Sequence, residues 1–290
     1  MDIRANDQTS SLTRQLLDDG YCIAKGVVPT ALVTAISDDF ADTFAITPHS
    51  IGSFYGNRTK RFHGLLRRSL RTEHFVLQPL ITELVESVLG PHCERVQLNL
   101  TQAIEIEANS EAQAPHRDQD MWPIHAQGVE YLVNVMWPFT PYTAQNGATR
   151  IWPGSHRRQN EMLIGEEDAV AVEMNPGDAL IFLGSTLHGG GANSTALSRK
   201  GMIISYSLGW LKPYELPWLA YPPEFAKTLS QPLADLAGYR AHRPNLGTYE
   251  GRCPSTLLEA EGSSLGAVDS LRDDQEALIL AWREGRLTVA

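Results

Sequence analysis

The sequence has few cysteines, no long apolar run and no excess of positive charge, and each absence excludes a class of protein. The three cysteines, Cys22, Cys93 and Cys253, lie far apart without the spacing of a metal site. That pattern is typical of a reducing compartment, so we expect a cytoplasmic protein. No run of about 18 apolar residues occurs, and we expect no membrane span. A net charge of −10 disfavours a nucleic-acid partner, which needs a basic face.

The length and composition allow a substantial hydrophobic core. With 290 residues and 42% hydrophobic residues, the chain is expected to form one domain over residues 1–290. Its first residues have no basic segment followed by an apolar run, so no secretory signal is expected. One basic cluster runs from Arg58 to Arg71, and it is either a solvated face or an anion site.

Apolar periodicity and turn signals divide the domain into three parts. Residues of about 8–90 are predicted to be mainly helical, and residues of about 95–210 carry short alternating strands. Residues of about 211–290 form an extension or lid, rich in proline and aromatic residues at first. Many short strands separated by turns, with helices beside them, predict a mainly β fold of barrel or jelly-roll type. The predicted helices cover 8–20, 30–46, 81–89 and 270–284, and the predicted strands cover 96–107, 131–137, 148–152, 169–173, 179–183 and 201–210.

The sequence His116-Arg117-Asp118, followed by a distant His188, offers two imidazoles and one carboxylate. This is the ligand set of the facial triad of non-haem iron(II) oxygenases, which leaves coordination positions open. Alternate residues of a strand face the same side, so we expect His116 and Asp118 to point together into a barrel mouth. Zinc accepts the same ligands, and a lone His-x-Asp often occurs by chance, so these residues alone predict a metal site of open identity.

Arg199, eleven residues after His188, gives the predicted site a cation. A jelly-roll hairpin returns the chain so that Arg199 faces the same cavity as His188. Guanidinium binds a carboxylate with two hydrogen bonds and stays charged when buried, so it suits a dicarboxylate held by metal at its other end. The alternative is an ordinary surface arginine in the polar stretch 193–200.

Taken in order, these motifs resemble the phytanoyl-CoA dioxygenase family, whose members are iron(II)- and 2-oxoglutarate-dependent oxygenases on a cupin-like double-stranded β-helix. The resemblance covers roughly residues 15–250 and is strongest from 113 to 210. Thr59-Lys60-Arg61 and the stretch from His116 to Pro123 resemble most the branch that tailors terpenoids and polyketides. The motifs that carry it are His116 to Asp120, Asn146 to His156, Pro176-Gly177-Asp178, His188 and Arg199.

The resemblance implies roles for matching positions, with iron(II), 2-oxoglutarate and O2 as cofactor and cosubstrates. His116, Asp118 and His188 would be the catalytic iron ligands, and Arg199 would bind the distal carboxylate of 2-oxoglutarate. Gln113 and Thr149 would hydrogen-bond the cosubstrate. Some oxygenases of the broader class carry a serine two positions after the arginine, where this chain has Gly201. Thr149 is therefore expected to supply the second hydrogen bond.

The substrate is expected to be a hydrophobic small molecule, bound by a homodimer. Related halogenases replace the carboxylate ligand, so Asp118 favours hydroxylation, desaturation or rearrangement over chlorination. The alternatives are an acyl-CoA hydroxylase of the same family, a cupin-like metal-dependent hydrolase or isomerase, and a non-catalytic metabolite-binding jelly roll. The residues predicted to line the substrate pocket are Met121, Trp122, Phe62, Leu65, Tyr131 and Trp210.

Overall fold

The computed structural model describes residues 3–158, 165–259 and 266–286 of the chain. The remaining parts of the predicted 1–290 domain lie outside the described residues. The strands are β1 (Tyr21–Ala24), β2 (Thr59–His63), β3 (Val96–Ile106), β4 (Leu132–Pro138), β5 (Thr149–Ile151), β6 (Val170–Ala171), β7 (Ala179–Leu183), β8 (His188–Gly190) and β9 (Arg199–Leu208). The α-helices are α1 (Ile3–Asp19), α2 (Thr30–Asp39), α3 (Ala41–Ile46), α4 (Leu65–Arg68), α5 (Glu73–Val76), α6 (Pro79–Leu89), α7 (Pro217–Ala220), α8 (Pro223–Ala226), α9 (Gln231–Leu236) and α10 (Asp273–Arg283).

Two antiparallel sheets form the framework. The large sheet has the strand order β1-β7-β4-β9-β3-β2, and the small sheet has the order β6-β5-β8. One cluster of buried residues includes Phe182 and Ile203 of the large sheet together with Ile151 of the small one, so the two sheets face each other across this core. The sheets do not close into a barrel. The predicted mainly β jelly roll with supporting helices is confirmed.

Strand alternation gives the large sheet two different faces. On β9, Met202 and Ile204 join the cluster that packs against the helices, whereas Ile203 between them joins the core between the sheets. On β7, Ile181 and Phe182 divide in the same way. Because successive side chains of a strand point to opposite faces, one sheet supports the helices and also lines the space where a ligand can bind.

The N-terminal part is less purely helical than its periodicity predicts. It contributes β1 and β2, which are the two edge strands of the large sheet. The helix predicted over 30–46 is divided into α2 and α3 at Phe40. The Phe40 ring packs against Phe62 of β2 at a centroid distance of 5.7 Å. The residue between the two helices is therefore anchored on the large sheet.

Strand β3 does not keep a single alternation along its length. In a regular strand Val96, Leu98 and Leu100 would share one face, but the register with β9 shifts between Leu98 and Leu100. Leu98 consequently packs on the helical side and Leu100 on the side between the sheets. A bulge of this kind re-aims the residues that follow it. The even-numbered residues from Leu100 onward therefore face the interior of the jelly roll.

The C-terminal extension packs beside the start of β3. The Glu215 amide donates to the Asn99 carbonyl at 3.0 Å, and the hydroxyls of Thr101 and Tyr221 lie 2.9 Å apart. Helix α10, at the end of the extension, has no buried residue, unlike the part of the extension that packs beside β3. Among the described residues, none of the helices is both long and apolar enough to cross a membrane.

Candidate metal centre

His116 and His188 are held side by side by their own backbones. The His116 amide donates to the His188 carbonyl at 2.9 Å, and the His188 amide donates to the His116 carbonyl at 3.0 Å. The two residues form an antiparallel bridge, which extends the small sheet at β8. This pairing brings together two imidazoles that lie 72 positions apart in the sequence.

Both imidazoles are oriented by a carbonyl two residues earlier. Nδ1 of His116 lies 3.0 Å from the Ala114 carbonyl, and Nδ1 of His188 lies 3.0 Å from the Thr186 carbonyl. A carbonyl only accepts, so Nδ1 carries a proton in each ring and Nε2 is the nitrogen that can bind a metal. The two Nε2 atoms lie 3.4 and 3.5 Å from the carboxylate oxygens of Asp118.

Asp118 reaches the site from a 3-10 helix over Asp118–Met121 and not from the strand that we predicted. The backbone turns directly after His116, and it still brings one ligand atom from each of the three residues within 4.8 Å of the others. Nδ2 of Asn134 donates to Oδ2 of Asp118 at 3.0 Å and orients the carboxylate. Burial alone would raise the pKa of Asp118, but the two imidazoles bring it well below its usual value.

Arg117 faces away from the three ligands, as alternation predicts. Its buried guanidinium donates to the Ser185 carbonyl at 3.0 Å and to the Ser155 carbonyl at 3.3 Å. The first bond joins the ligand-bearing turn to the chain just before His188, and the second joins it to the turn that follows β5.

The triad lines a cavity with a free volume of about 100 Å³, which also contains Gln113, Thr149 and Arg199. Gln113 and Thr149 lie on opposite sides of Gly190 in β8, since the Gln113 amide donates to the Gly190 carbonyl and Thr149 pairs with Gly190 in the small sheet. Arg199 is only 2% exposed. Its Nε and Nη1 have no hydrogen-bond partner among the described residues.

Arg61 of β2 brings a second guanidinium, half-buried, to this cavity. Its Nη1 donates to Oε1 of Gln102 at 3.0 Å, while its Nε has no partner among the described residues. Burial, reinforced by Arg199, lowers the pKa of Arg61 to about 10, so it stays cationic at neutral pH. Two cations and one carboxylate leave the cavity positive before any metal binds, which favours an anionic ligand.

Sequence reasoning assigned no role to Arg61 or Asn134. Arg61 belongs to the motif Thr59-Lys60-Arg61, which carried the family resemblance, and this motif was the only sequence feature that pointed to a role for it. No sequence feature pointed to Asn134, because its contact with Asp118 depends on the pairing of β4 in the large sheet.

The residues predicted to line the substrate pocket are mostly elsewhere. Met121 lines the metal cavity. Phe62, Leu65, Trp122 and Tyr131 lie in the hydrophobic core behind it. The sequence does not show on which side of its element an apolar residue lies, and these four side chains point to the core side.

Trp210 lines a different cavity of about 560 Å³ in the C-terminal extension, which shares no lining residue with the first. This larger cavity lacks the triad, and we therefore locate the chemistry at the smaller one.

Aromatic residues from two distant segments close the mouth of the metal cavity. The ring of Phe54 packs edge-on against His116 at a centroid distance of 4.7 Å. The neighbouring Tyr55 shares a hydrogen bond of 2.7 Å with the hydroxyl of Tyr214 in the C-terminal extension. The sequence offered no signal for this contact.

The donor set fits a divalent metal. Two imidazoles, whose Nε2 atoms face one hydrogen-bonded carboxylate, form a 2-His-1-carboxylate set, and the backbone carbonyls behind the imidazoles are the partners such ligands require. The unpartnered N–H groups of Arg199 in the same cavity suit a carboxylate.

Comparison with known proteins gives the same indication. The family model described as Phytanoyl-CoA dioxygenase (PhyH) matches residues 16–201. "Dioxygenase FrzG" of Cladobotryum sp is 32% identical over 248 residues, covering 80% of this chain and 79% of that protein. "Multifunctional dioxygenase ausE" of Emericella nidulans is 30% identical over 243 residues, covering 77% and 81% respectively.

Among solved structures, the fold is similar to that of the epimerase SnoN in complex with Fe3+, alpha ketoglutarate and nogalamycin RO. The TM-score is 0.59 at 20% identity, with 74% of this chain and 90% of that chain covered. The likeness supports the jelly-roll fold.

Replacing Asn134 with alanine is expected to weaken metal binding by about 10- to 100-fold, since loss of an outer hydrogen bond frees the Asp118 carboxylate to rotate. Anaerobic titration with iron(II) measures the affinity. Asn175→Ala, an exposed loop residue, is the control and should bind as the wild type does. Equal affinities for Asn134→Ala and the wild type would contradict this role.

Proposed function

The chain belongs to the phytanoyl-CoA dioxygenase family, and from that premise we propose that it is an iron(II)- and 2-oxoglutarate-dependent dioxygenase. Its proposed substrate is a hydrophobic small molecule of secondary metabolism, of terpenoid or polyketide type, which it hydroxylates, desaturates or rearranges. The observation that carries this proposal is that the triad and the unpartnered N–H groups of buried Arg199 line the same small cavity.

Each side chain has a defined task in the proposed reaction. His116, Asp118 and His188 hold iron, which supplies the activation of O2 when it is bound. Arg199 binds the distal carboxylate of 2-oxoglutarate. Gln113 and Thr149, on either side of β8, hydrogen-bond the same cosubstrate. Arg61 offsets the remaining negative charge, and the apolar residues around these groups exclude water.

The competing functions fit the cavity less well. A hydrolase or isomerase with the same triad has no use for the buried guanidinium of Arg199, whose unpartnered N–H groups lie in the same cavity as the metal ligands. A non-catalytic metabolite-binding jelly roll would not require the Nε2 atoms of His116 and His188 to lie together beside the Asp118 carboxylate. The carboxylate of Asp118 also fills the position that a halogenase leaves to halide.

The basic cluster gives little support to an acyl-CoA substrate. A phosphate-binding face needs several free cations, but two of these side chains are paired with carboxylates and three others donate to backbone carbonyls. Arg71 binds Asp39 at 2.7 Å, and Lys60 lies 3.5 Å from Glu107. Arg58, Arg67 and Arg68 donate to the carbonyls of Ala108, Ala220 and His63 respectively. Arg61, the remaining basic residue between Lys60 and Arg67, lines the metal cavity.

The size of the cavity supports a gated substrate pocket. A free volume of about 100 Å³ is below the roughly 300–1,000 Å³ of sites for drug-sized ligands. Phe54 and the Tyr55–Tyr214 bond occupy the mouth. We infer that residues 51–58 are a lid that opens to admit the substrate. Phe54 and Tyr214 would then contact the bound substrate.

The lid is tied to β2. The Ser50 amide donates to the Thr59 carbonyl at 2.8 Å beside the first residue of the lid, and the last residue of the lid continues directly into β2. The Thr59 hydroxyl also donates to the Tyr55 carbonyl at 2.8 Å. Ile51 of the lid is 94% exposed, and an exposed apolar residue here favours a hydrophobic substrate.

We also propose a cytoplasmic homodimer. All three cysteines are free, which fits a reducing compartment. The last described helix, α10, exposes an apolar surface that a second copy of the chain would cover. On one side of α10 this surface consists of Leu278, Ile279 and Trp282.

Substrate-stimulated conversion of 2-oxoglutarate to succinate is expected in the wild type and absent in Asp118→Ala and His188→Ala. Arg199→Ala should raise the 2-oxoglutarate requirement by about 30-fold or more, as removal of a buried charge partner costs about 2 kcal/mol or more. Succinate is measured against a panel of terpenoids, polyketides and acyl-CoA esters. Exposed Arg157→Ala is the matched control, and normal turnover in either ligand variant would refute the assignment of the iron site.

For the lid, Tyr214→Phe removes the bond to Tyr55 and is expected to speed amide exchange of residues 51–58 about fivefold, the factor for a bond of about 1 kcal/mol. Hydrogen-exchange mass spectrometry measures this rate. Tyr249→Phe alters another exposed tyrosine of the extension and should leave the rate unchanged. An unaltered exchange rate in Tyr214→Phe would show that the Tyr55–Tyr214 hydrogen bond does not hold the lid closed.

The double variant Leu278→Glu/Trp282→Glu is expected to convert a wild-type dimer to a monomer, because charges would enter the apolar surface of α10. Sedimentation equilibrium gives the mass of each. Glu284→Gln, in the same helical end, is the control. A monomeric wild type would exclude the dimer itself, whereas a dimeric double variant would locate the interface elsewhere.

A further inference from the structure

One row of side chains on β9 faces the metal cavity, and it has a gap at Gly201. Arg199 and Ile203 both line the cavity. Because alternate residues of a strand share a face, position 201 between them points the same way. With glycine there, the residue two positions after the arginine contributes no side chain to the cavity wall.

The hydroxyl of Tyr142 fills this gap. A Cβ atom built on Gly201 would overlap the Tyr142 hydroxyl and would lie 2.6 Å from the Trp137 carbonyl oxygen. Only glycine fits at 201 while the phenol is in place. The hydroxyl therefore occupies the position that a short side chain on residue 201 would have taken.

Tyr142 also contacts the arginine of the same site. The guanidinium carbon of Arg199 lies 4.1 Å from the centre of the Tyr142 ring, a cation–π distance. Backbone bonds to Met174, of 2.8 and 3.1 Å, fix the position of Tyr142. The ring thus supports the guanidinium from beneath, and its hydroxyl lies beside it.

The Tyr142 hydroxyl oxygen accepts a hydrogen bond from the Arg199 guanidinium, but its proton has no strong acceptor. The proton is donated to the sulfur of Met136 at 3.7 Å, which is a weak acceptor, and Met136 itself lines the cavity. Burial raises the pKa of Tyr142 despite the opposing effect of Arg199, so the phenol stays protonated. A buried donor without a strong partner is costly unless a ligand satisfies it.

We propose that Tyr142 is a cosubstrate-binding residue whose hydroxyl donates a hydrogen bond to the same distal carboxylate of 2-oxoglutarate that Arg199 binds. Gly201 is the complementary feature that makes room for it. This inference rests on the proposed function. It also changes the expectation for Thr149, which lies on the small sheet beside Gly190 and is not the group that replaces a side chain at 201.

The test compares two ligands with two proteins. 2-Oxobutyrate has the same 2-oxo acid group as 2-oxoglutarate and lacks the distal carboxylate. Tyr142→Phe keeps the ring under Arg199 and removes only the hydroxyl. Titration calorimetry of each ligand is done anaerobically on iron(II)-loaded wild type and variant. We expect 2-oxoglutarate to bind Tyr142→Phe about tenfold or more weakly, as for loss of a hydrogen bond to a charged group, with 2-oxobutyrate and iron(II) binding unchanged.

Tyr239→Phe is the matched control, since Tyr239 is a buried tyrosine whose hydroxyl donates to the Tyr221 carbonyl at 2.7 Å in the extension. It should bind both ligands as the wild type does. Equal 2-oxoglutarate affinity in Tyr142→Phe and wild type would overturn the inference, and so would an equal loss for both ligands. Failure of the iron-loaded wild type to bind 2-oxoglutarate would instead refute the proposed function.

Discussion

The reciprocal backbone hydrogen bonds between His116 and His188 are the constraint on which the rest of the site depends. They place two imidazoles at a fixed spacing, and the carbonyls of Ala114 and Thr186 then fix the tautomer of each ring. The same pairing sets Gln113 beside β8, while β5 brings Thr149 to the other side. The two histidine ligands and the proposed cosubstrate contacts Gln113 and Thr149 thus belong to one short antiparallel ladder. A displacement of β8 would disturb all of them together.

Charge in the cavity complements this ladder. Arg61 comes from edge strand β2 and Arg199 from β9. The Arg199 guanidinium is buried and that of Arg61 half-buried, and each has N–H groups left unpartnered among the described residues. Such an arrangement is costly in an empty cavity, because neither cation has a carboxylate of its own. A dianionic ligand relieves the cost at both ends. The proposed cosubstrate is therefore also expected to stabilise the fold around it.

The fold class and the three metal-ligand candidates could be predicted from sequence, because strand periodicity is local and the motif has an ordered spacing. Interpretations that depended on register or on distant contacts failed. The shift at β3 places Leu98 and Leu100 on different faces, and Asp118 follows a tight turn where a strand was predicted. Trp122 and Tyr131 are close to the triad in sequence yet belong to the core. Asn134 and Tyr142 gave no local signal, since their roles arise from strand pairing and from a missing side chain.

Because both ends of the lid are fastened to β2, its central residues can change in length or composition with little effect on the ladder that holds the metal ligands. Loops with closely spaced ends tolerate insertions at small thermodynamic cost. Substrate scope can therefore diversify in residues 51–58 while the oxidative chemistry stays constant. For protein engineering, this segment is the natural place for loop exchange between relatives.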